Sequence, residues 1–183
     1  MRVAYPADEG ALSRHAVTPG SKATSGWPRR PAREEDRIVE NGQQMTFMKL
    51  SAENSREFVE RFGEFEDGVI TGIRLHLPRG PVAGRVATFD IQAVDTTDGN
   101  EWRLVQLAVG GVFEYQFTCS TRQTYFVLSD GLRLDCTSER CVLDLDPGPD
   151  EWMPEQVAER GEYSKQYAIG AWCEYTVLDG PFI

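Results

Sequence analysis

The sequence predicts an α+β fold: one N-terminal helix packed on a largely antiparallel, strongly twisted sheet or small sandwich of about seven to eight strands. Three observations carry this expectation. A single stretch with helical period opens the patterned part of the chain, a series of period-2 segments follows it, and the connections between those segments are too short for parallel crossovers. At 183 residues, with 40% hydrophobic and 10% aromatic content, the chain is long and apolar enough to bury one core.

The helix is predicted at Ser51–Phe62, with Ser51 or Ser55 as its cap, Phe58, Val59 and Phe62 on one side, and Gly63 as the stop. Val69–Leu77 then alternates, placing Val69, Thr71, Ile73, Leu75 and Leu77 on one face. After the turn at Pro78–Pro81, Arg85–Asp95 alternates again with Ala87, Phe89, Ile91 and Ala93 inward. The loop from Asp95 to Asn100 returns the chain into Trp102–Val109. Gly110-Gly111 is either a hairpin turn, which places Trp102, Leu104, Phe113, Tyr115, Phe117 and Cys119 on one face, or a bulge in one bent strand.

Leu132–Asp146 is the clearest local element. A turn at Thr137–Arg140 sets Cys136 opposite Cys141, Leu134 opposite Leu143 and Leu132 opposite Leu145, with Arg133 facing Asp144 as a cross-strand charge pair. Pro147-Gly-Pro149 breaks the sheet, Pro154–Arg160 is expected to form a short helix stopped by Gly161, and Gln166–Leu178 reads as one long central strand. Along that strand Tyr167, Ile169, Ala171, Cys173, Tyr175 and Val177 keep one phase.

Two regions are expected: residues 1–44, a disordered tail or a mis-assigned start, and residues 45–183, a single α+β domain. Met1 to Gln44 contain four of the ten prolines and no periodic stretch, and Met45 and Met48 stand where patterning begins. The whole chain carries −10 at neutral pH. The first 44 residues hold seven Lys and Arg and six Asp and Glu, so residues 45–183 carry −11. Such a surface repels phosphate and argues against nucleic-acid binding. The sequence shows no apolar run of membrane-spanning length and no leader-like start, so a cytoplasmic protein with no membrane association is expected.

Candidate chemistry is sparse. His76, in phase with Arg74, lacks the partners of a triad or a metal site. Cys119, Cys136, Cys141 and Cys173 have spacings unlike a zinc knuckle and read as small core hydrophobes, with Cys136 and Cys141 close enough to cross-link in an oxidising compartment. No nucleotide, hydrolase or kinase motif occurs, so no cofactor, metal or catalytic residue is assigned. What remains is acidic. Glu64, Glu66 and Asp67 follow the helix, Asp95 and Asp98 occupy a turn, and Asp144, Asp146, Asp150 and Glu151 surround the Pro-Gly-Pro break. They form a candidate acidic interface, set against their ordinary role as solvated turn residues.

From about Arg56 onward the order of elements resembles that of small, uncharacterised bacterial proteins among the immunity partners of polymorphic toxins. The residues that carry the resemblance are Phe62-Gly-Glu-Phe65-Glu-Asp67-Gly-Val69-Ile70, Trp102-Arg-Leu-Val-Gln-Leu with Gly111-Val112 after it, and Leu143-Asp144-Leu145. The resemblance implies an α+β domain that binds a protein partner and has no catalytic residues to carry over. A protein-binding inhibitor or immunity-type factor meeting a basic partner is therefore the first functional expectation, because complementary charge speeds and selects association. The alternative is a small-ligand-binding or enzymatic domain with a pocket lined by Tyr115, Tyr167, Trp172 or Tyr175. A third reading makes Tyr167–Val177 an edge strand that pairs across a dimer; the sequence leaves the oligomeric state open.

Overall fold

A computed structural model of the chain describes residues 46–118, 126–148, 151–159 and 164–178, and the backbone of 39–40 and 43–44. The last two segments are strands β1 (Val39–Glu40) and β2 (Gln43–Gln44), an antiparallel ladder inside the region expected to be a tail. Among the described residues two larger antiparallel sheets hold ten strands, more than the seven to eight expected, together with one α-helix.

Strand β3 (Met48–Leu50) leads into a turn in which the Ser51 amide donates to Asn54 Oδ1 at 2.7 Å. Helix α1 spans Ser55–Arg61, shorter than predicted because Ser51–Asn54 forms this turn; Asn54 sits at the N-cap with no side-chain capping bond, so neither serine caps. Seven residues are too few for a helix to persist in water. Its apolar face holds it: Phe58, Phe62 and Phe65 cluster with Tyr175, the Phe58 and Tyr175 ring centroids lying 4.2 Å apart.

After the helix, Gly63, Glu64 and Phe65 all take positive φ, at 58°, 55° and 60°. Left-handed backbone costs a side-chain-bearing residue about 1–2 kcal/mol. The turn persists because it drives Phe65 fully into the core and because the Glu64 carbonyl accepts the Leu132 amide at 2.9 Å.

Strand β4 (Gly68–His76) follows, then β5 (Val86–Asp95) and β6 (Glu101–Gly110). In β4 the register shifts between Ile70 and Gly72. That bulge splits the face expected from strict alternation: Ile70 is buried before it and Ile73 packs on the core after it, while Val69 and Thr71 do not share their side. The β5 expectation stands, with Ala87, Phe89, Ile91 and Ala93 buried.

Neither reading of Gly110-Gly111 fits as stated. β6 pairs with β5 and not with β7 (Glu114–Phe117), which lies in the other sheet. The chain crosses between sheets here, so Trp102 is exposed and Val105, Leu107 and Val109 face the core. The predicted long last strand makes the reverse crossing. β11 (Gln166–Gly170) belongs to the second sheet and β12 (Trp172–Leu178) to the first. Its phase flips on the way: Tyr167 and Ile169 pack in a small outer cluster, whereas Cys173, Tyr175 and Val177 face the main core.

The remaining strands are β8 (Val127–Leu128), β9 (Arg133–Cys136) and β10 (Cys141–Asp144). The six-stranded sheet runs β3-β12-β6-β5-β4-β8 and the four-stranded sheet β7-β11-β10-β9. β11 and β12 each have a partner on both sides, so the edge-strand reading of Tyr167–Val177 does not hold. The β9–β10 register is as predicted, Cys136 opposite Cys141 and Leu134 opposite Leu143. Residues 154–158 form hydrogen-bonded turns and no helix. Both sheets contribute to one core, in which Phe89, Leu107 and Val109 join Cys136, Leu143 and Ala168.

The two crossings touch. The Ala171 amide donates to the Gly110 carbonyl at 2.8 Å, and a Cβ on Gly170 would lie 2.6 Å from that same oxygen and 2.7 Å from Val109 Cγ1. A Cβ on Gly110 would overlap the Trp172 ring at 1.8 Å. Gly170→Ala is therefore expected to lower the unfolding free energy by about 2–3 kcal/mol, read as a shifted urea midpoint.

Candidate functional site

The expected acidic residues divide into those the fold consumes and those it presents. Asp95 is consumed. It lies 1% exposed at the end of β5, where Oδ2 accepts from Arg61 Nε at 3.0 Å and Nη2 at 2.5 Å, and Oδ1 accepts from the Thr97 amide at 3.0 Å and hydroxyl at 2.7 Å. These bonds, that of Arg61 foremost, hold its carboxyl down at about 2. Asp144 is also consumed. Fully buried, it accepts from Ser164 Oγ at 2.6 Å, Trp152 Nε1 at 2.9 Å and the Asp146 amide at 3.0 Å. Burial pushes its carboxyl up against these bonds. Burial raises Asp146 as well, with the neighbouring Asp144 charge adding to it. Asp95 and Asp144 therefore cannot serve as interface residues.

The expected pairing of Arg133 with Asp144 is present in the ladder, and the Arg133 charge favours the ionised Asp144 carboxyl. The Arg133 guanidinium Nη1 in addition binds Glu64 Oε2. Asp98 binds Arg103 at 2.6 Å. Glu66, Asp67 and Glu151 are exposed, and Asp150 lies outside the described residues.

Backbone bonds bring distant acidic segments together at one end of α1. The Thr96 amide and hydroxyl both donate to the Arg61 carbonyl, at 2.9 and 2.8 Å, which seats the Asp95–Asp98 turn on the helix end. The Asp67 amide donates to Leu128 at 3.1 Å, which brings Asp130 beside Glu66 and Asp67. Asp144 and Asp146 lie at the end of the β9–β10 hairpin, with Asp130 close enough to act on Asp146.

Against the same helix lies a hollow of about 510 Å³ that the sequence did not signal. Leu50, Phe58 and Tyr175 line it together with Asn54, Glu57, Glu60, Arg61, Thr96 and Thr97. Of the four aromatics weighed for a pocket, only Tyr175 is here; Tyr115 is exposed on β7, Tyr167 belongs to the outer cluster and Trp172 covers Gly110. Helix positions such as Glu57 and Arg61 read in sequence as a solvated face, and nothing there announces the turn that meets them.

His76 stands exposed at the end of β4. Cys136, Cys141 and Cys173 are free and buried together. The Cys141 thiol is pushed up by its bond to Cys136 and by burial; at Cys136 the Cys141 contact pulls down but the Cys173 contact and burial outweigh it. Cys119 lies outside the described residues. Among the described residues no three His, Cys, Asp or Glu are grouped to hold a metal ion, and no helix is long and apolar enough to cross a membrane.

Two outcomes follow from this chemistry. Because its folded pKa lies below the unfolded value of about 3.9, Asp95 stabilises the fold fully above that pH and loses its effect as pH falls toward 2. Asp95→Asn is expected to cost about 2 kcal/mol at neutral pH, and the gap to the parent protein should narrow below about pH 4, as followed by urea unfolding across pH. Iodoacetamide at pH 8 should leave Cys136, Cys141 and Cys173 unlabelled in the native protein and label all three in urea, by peptide mass mapping, since only an accessible thiolate reacts. No protein-family model matches the chain, and no curated protein or solved structure does either.

Proposed function

We propose that this protein is an acidic, cytoplasmic bacterial protein-binding factor of the inhibitor or immunity type, which acts by stoichiometric occupation of a basic partner. One observation supports the reading above others. Glu53, Glu57, Glu60, Glu64, Glu66, Asp67, Asp98 and Asp130 come from three separate segments and gather around α1 and its left-handed turn. Against these eight carboxylates stand Arg56 and, reaching in from neighbouring strands, Arg103 and Arg133, while Arg61 is matched by the buried Asp95.

Charge of one sign concentrated on one end of a domain steers a partner of opposite sign and rejects like-charged surfaces. Rigid backing matters as much, since an interface whose groups are already fixed loses little freedom on association. Here the acids stand on a helix and turns pinned by the aromatic cluster and by cross-chain backbone bonds.

The test is capture from the cells that make the protein. A basic protein should be retained in near-equal amount at low salt and fall about tenfold at molar salt, where the Debye length is about 3 Å. Glu66→Lys with Asp130→Lys, both at exposed positions, should reduce retention similarly, while Glu139→Lys, exposed in the β9–β10 hairpin turn and outside the acidic set, leaves it unchanged. A partner retained equally by both variants, or none at any salt, contradicts the proposal.

A further inference from the structure

We infer that the hollow beside α1 is a receptor for a single cationic side chain, an arginine guanidinium presented by a protein partner. The inference rests on the protein-binding reading above and deepens it. Its volume of about 510 Å³ falls within the roughly 300–1,000 Å³ of ordinary ligand sites.

The lining shows which chemistry fits. Every hydroxyl proton contributed by its threonines is already spent inward, Thr96 Oγ1 donating to the Arg61 carbonyl at 2.8 Å and Thr97 Oγ1 to Asp95 Oδ1 at 2.7 Å. Both oxygens are left offering lone pairs. Asn54 spends an amide proton on the Lys49 carbonyl at 3.0 Å. Glu57 and Glu60 can only accept.

Arg61 is the one cation in the lining, and it does not reverse this balance. Its Nε and Nη2 are taken by Asp95, which is ionised and matches its charge. The surplus is therefore the pair Glu57 and Glu60, one helical turn apart on one side of α1. Arg56 holds Glu60 at 2.7 Å, but with side chains 88% and 57% exposed that pair is weak and exchangeable.

A ligand that only donates, carries positive charge and has an apolar stem satisfies this set. Guanidinium presents five N–H groups in a rigid plane, enough to reach two carboxylates and the threonine oxygens at once, and its face packs against aromatic rings such as those of Phe58 and Tyr175. An ammonium offers three donors from one point. An anion would be repelled by the Glu57 and Glu60 carboxylates.

The experiment is an amide-resolved NMR titration of the full chain with N-acetyl-arginine amide, its lysine counterpart and the uncharged citrulline analogue. Saturable shifts confined to Asn54, Glu57, Glu60, Thr96 and Thr97 are expected with arginine, weaker ones with lysine and none with citrulline. Glu57→Gln with Glu60→Gln should weaken arginine binding at least tenfold at an unchanged melting temperature. Equal shifts from citrulline, shifts scattered over the surface, or full binding by the double variant overturn the inference; tighter binding of lysine overturns the guanidinium assignment. If a basic protein is captured yet the hollow ignores arginine, the receptor fails and the protein-binding reading stands. If arginine fills the hollow yet no basic protein is captured, the protein source of the cation falls together with that reading.

Discussion

The architecture depends on the contact between two glycine-containing crossings. At Gly110–Gly111 the chain leaves the six-stranded sheet for the four-stranded one, and at Gly170–Ala171 it returns, with the Ala171 amide bonded to the Gly110 carbonyl. Because both crossings occur at one point, β6 and β12 lie side by side in the first sheet, while β7 and β11 do so in the second. The space between the two sheets fills with one core. Side chains at Gly110 or Gly170 would push the crossings apart.

The left-handed turn at Gly63–Phe65 sets the character of the acidic end. It reverses the chain tightly enough for Phe65 to reach the core while Glu64 and Glu66 stay outside. The opposing costs are comparable. Two side-chain-bearing residues in left-handed backbone forfeit about 1–2 kcal/mol each, and burying one phenylalanine returns about 1.5–3 kcal/mol. The bond from Leu132 to the Glu64 carbonyl then fixes the turn against the β9–β10 hairpin.

What could be read from sequence follows from where one face of a segment alone is apolar. β5 and the β9–β10 hairpin were legible because their inward positions are uniformly apolar and a turn sits between the hairpin strands. Gln166–Leu178 was not, because β11 is buried on both faces: Ala168 meets the main core and Tyr167 and Ile169 the outer cluster, so alternation continues smoothly across a break that small residues conceal. The bulge after Ile70 leaves a single compositional trace, Gly72 inside the alternating run. The acidic end was legible as composition, but not its division. Asp95 and Asp144 look like any turn carboxylate until Arg61 or Trp152 and Ser164 are placed beside them, and those partners arrive from distant segments.

The position of β12 also governs the order in which the molecule can be assembled. It lies between β3 and β6, so Met48–Leu50 has no hydrogen-bonding neighbour in the sheet until Trp172–Leu178 has been synthesised and has docked. A nascent chain emerging from the ribosome can close the β4–β5–β6 meander early, yet it must hold one long edge of β6 bare through the making of the entire second sheet. Such an edge is a template for pairing with other chains. The segment most in need of shielding during biosynthesis is thus Glu101–Gly110, a strand that in the finished protein has a partner on each side.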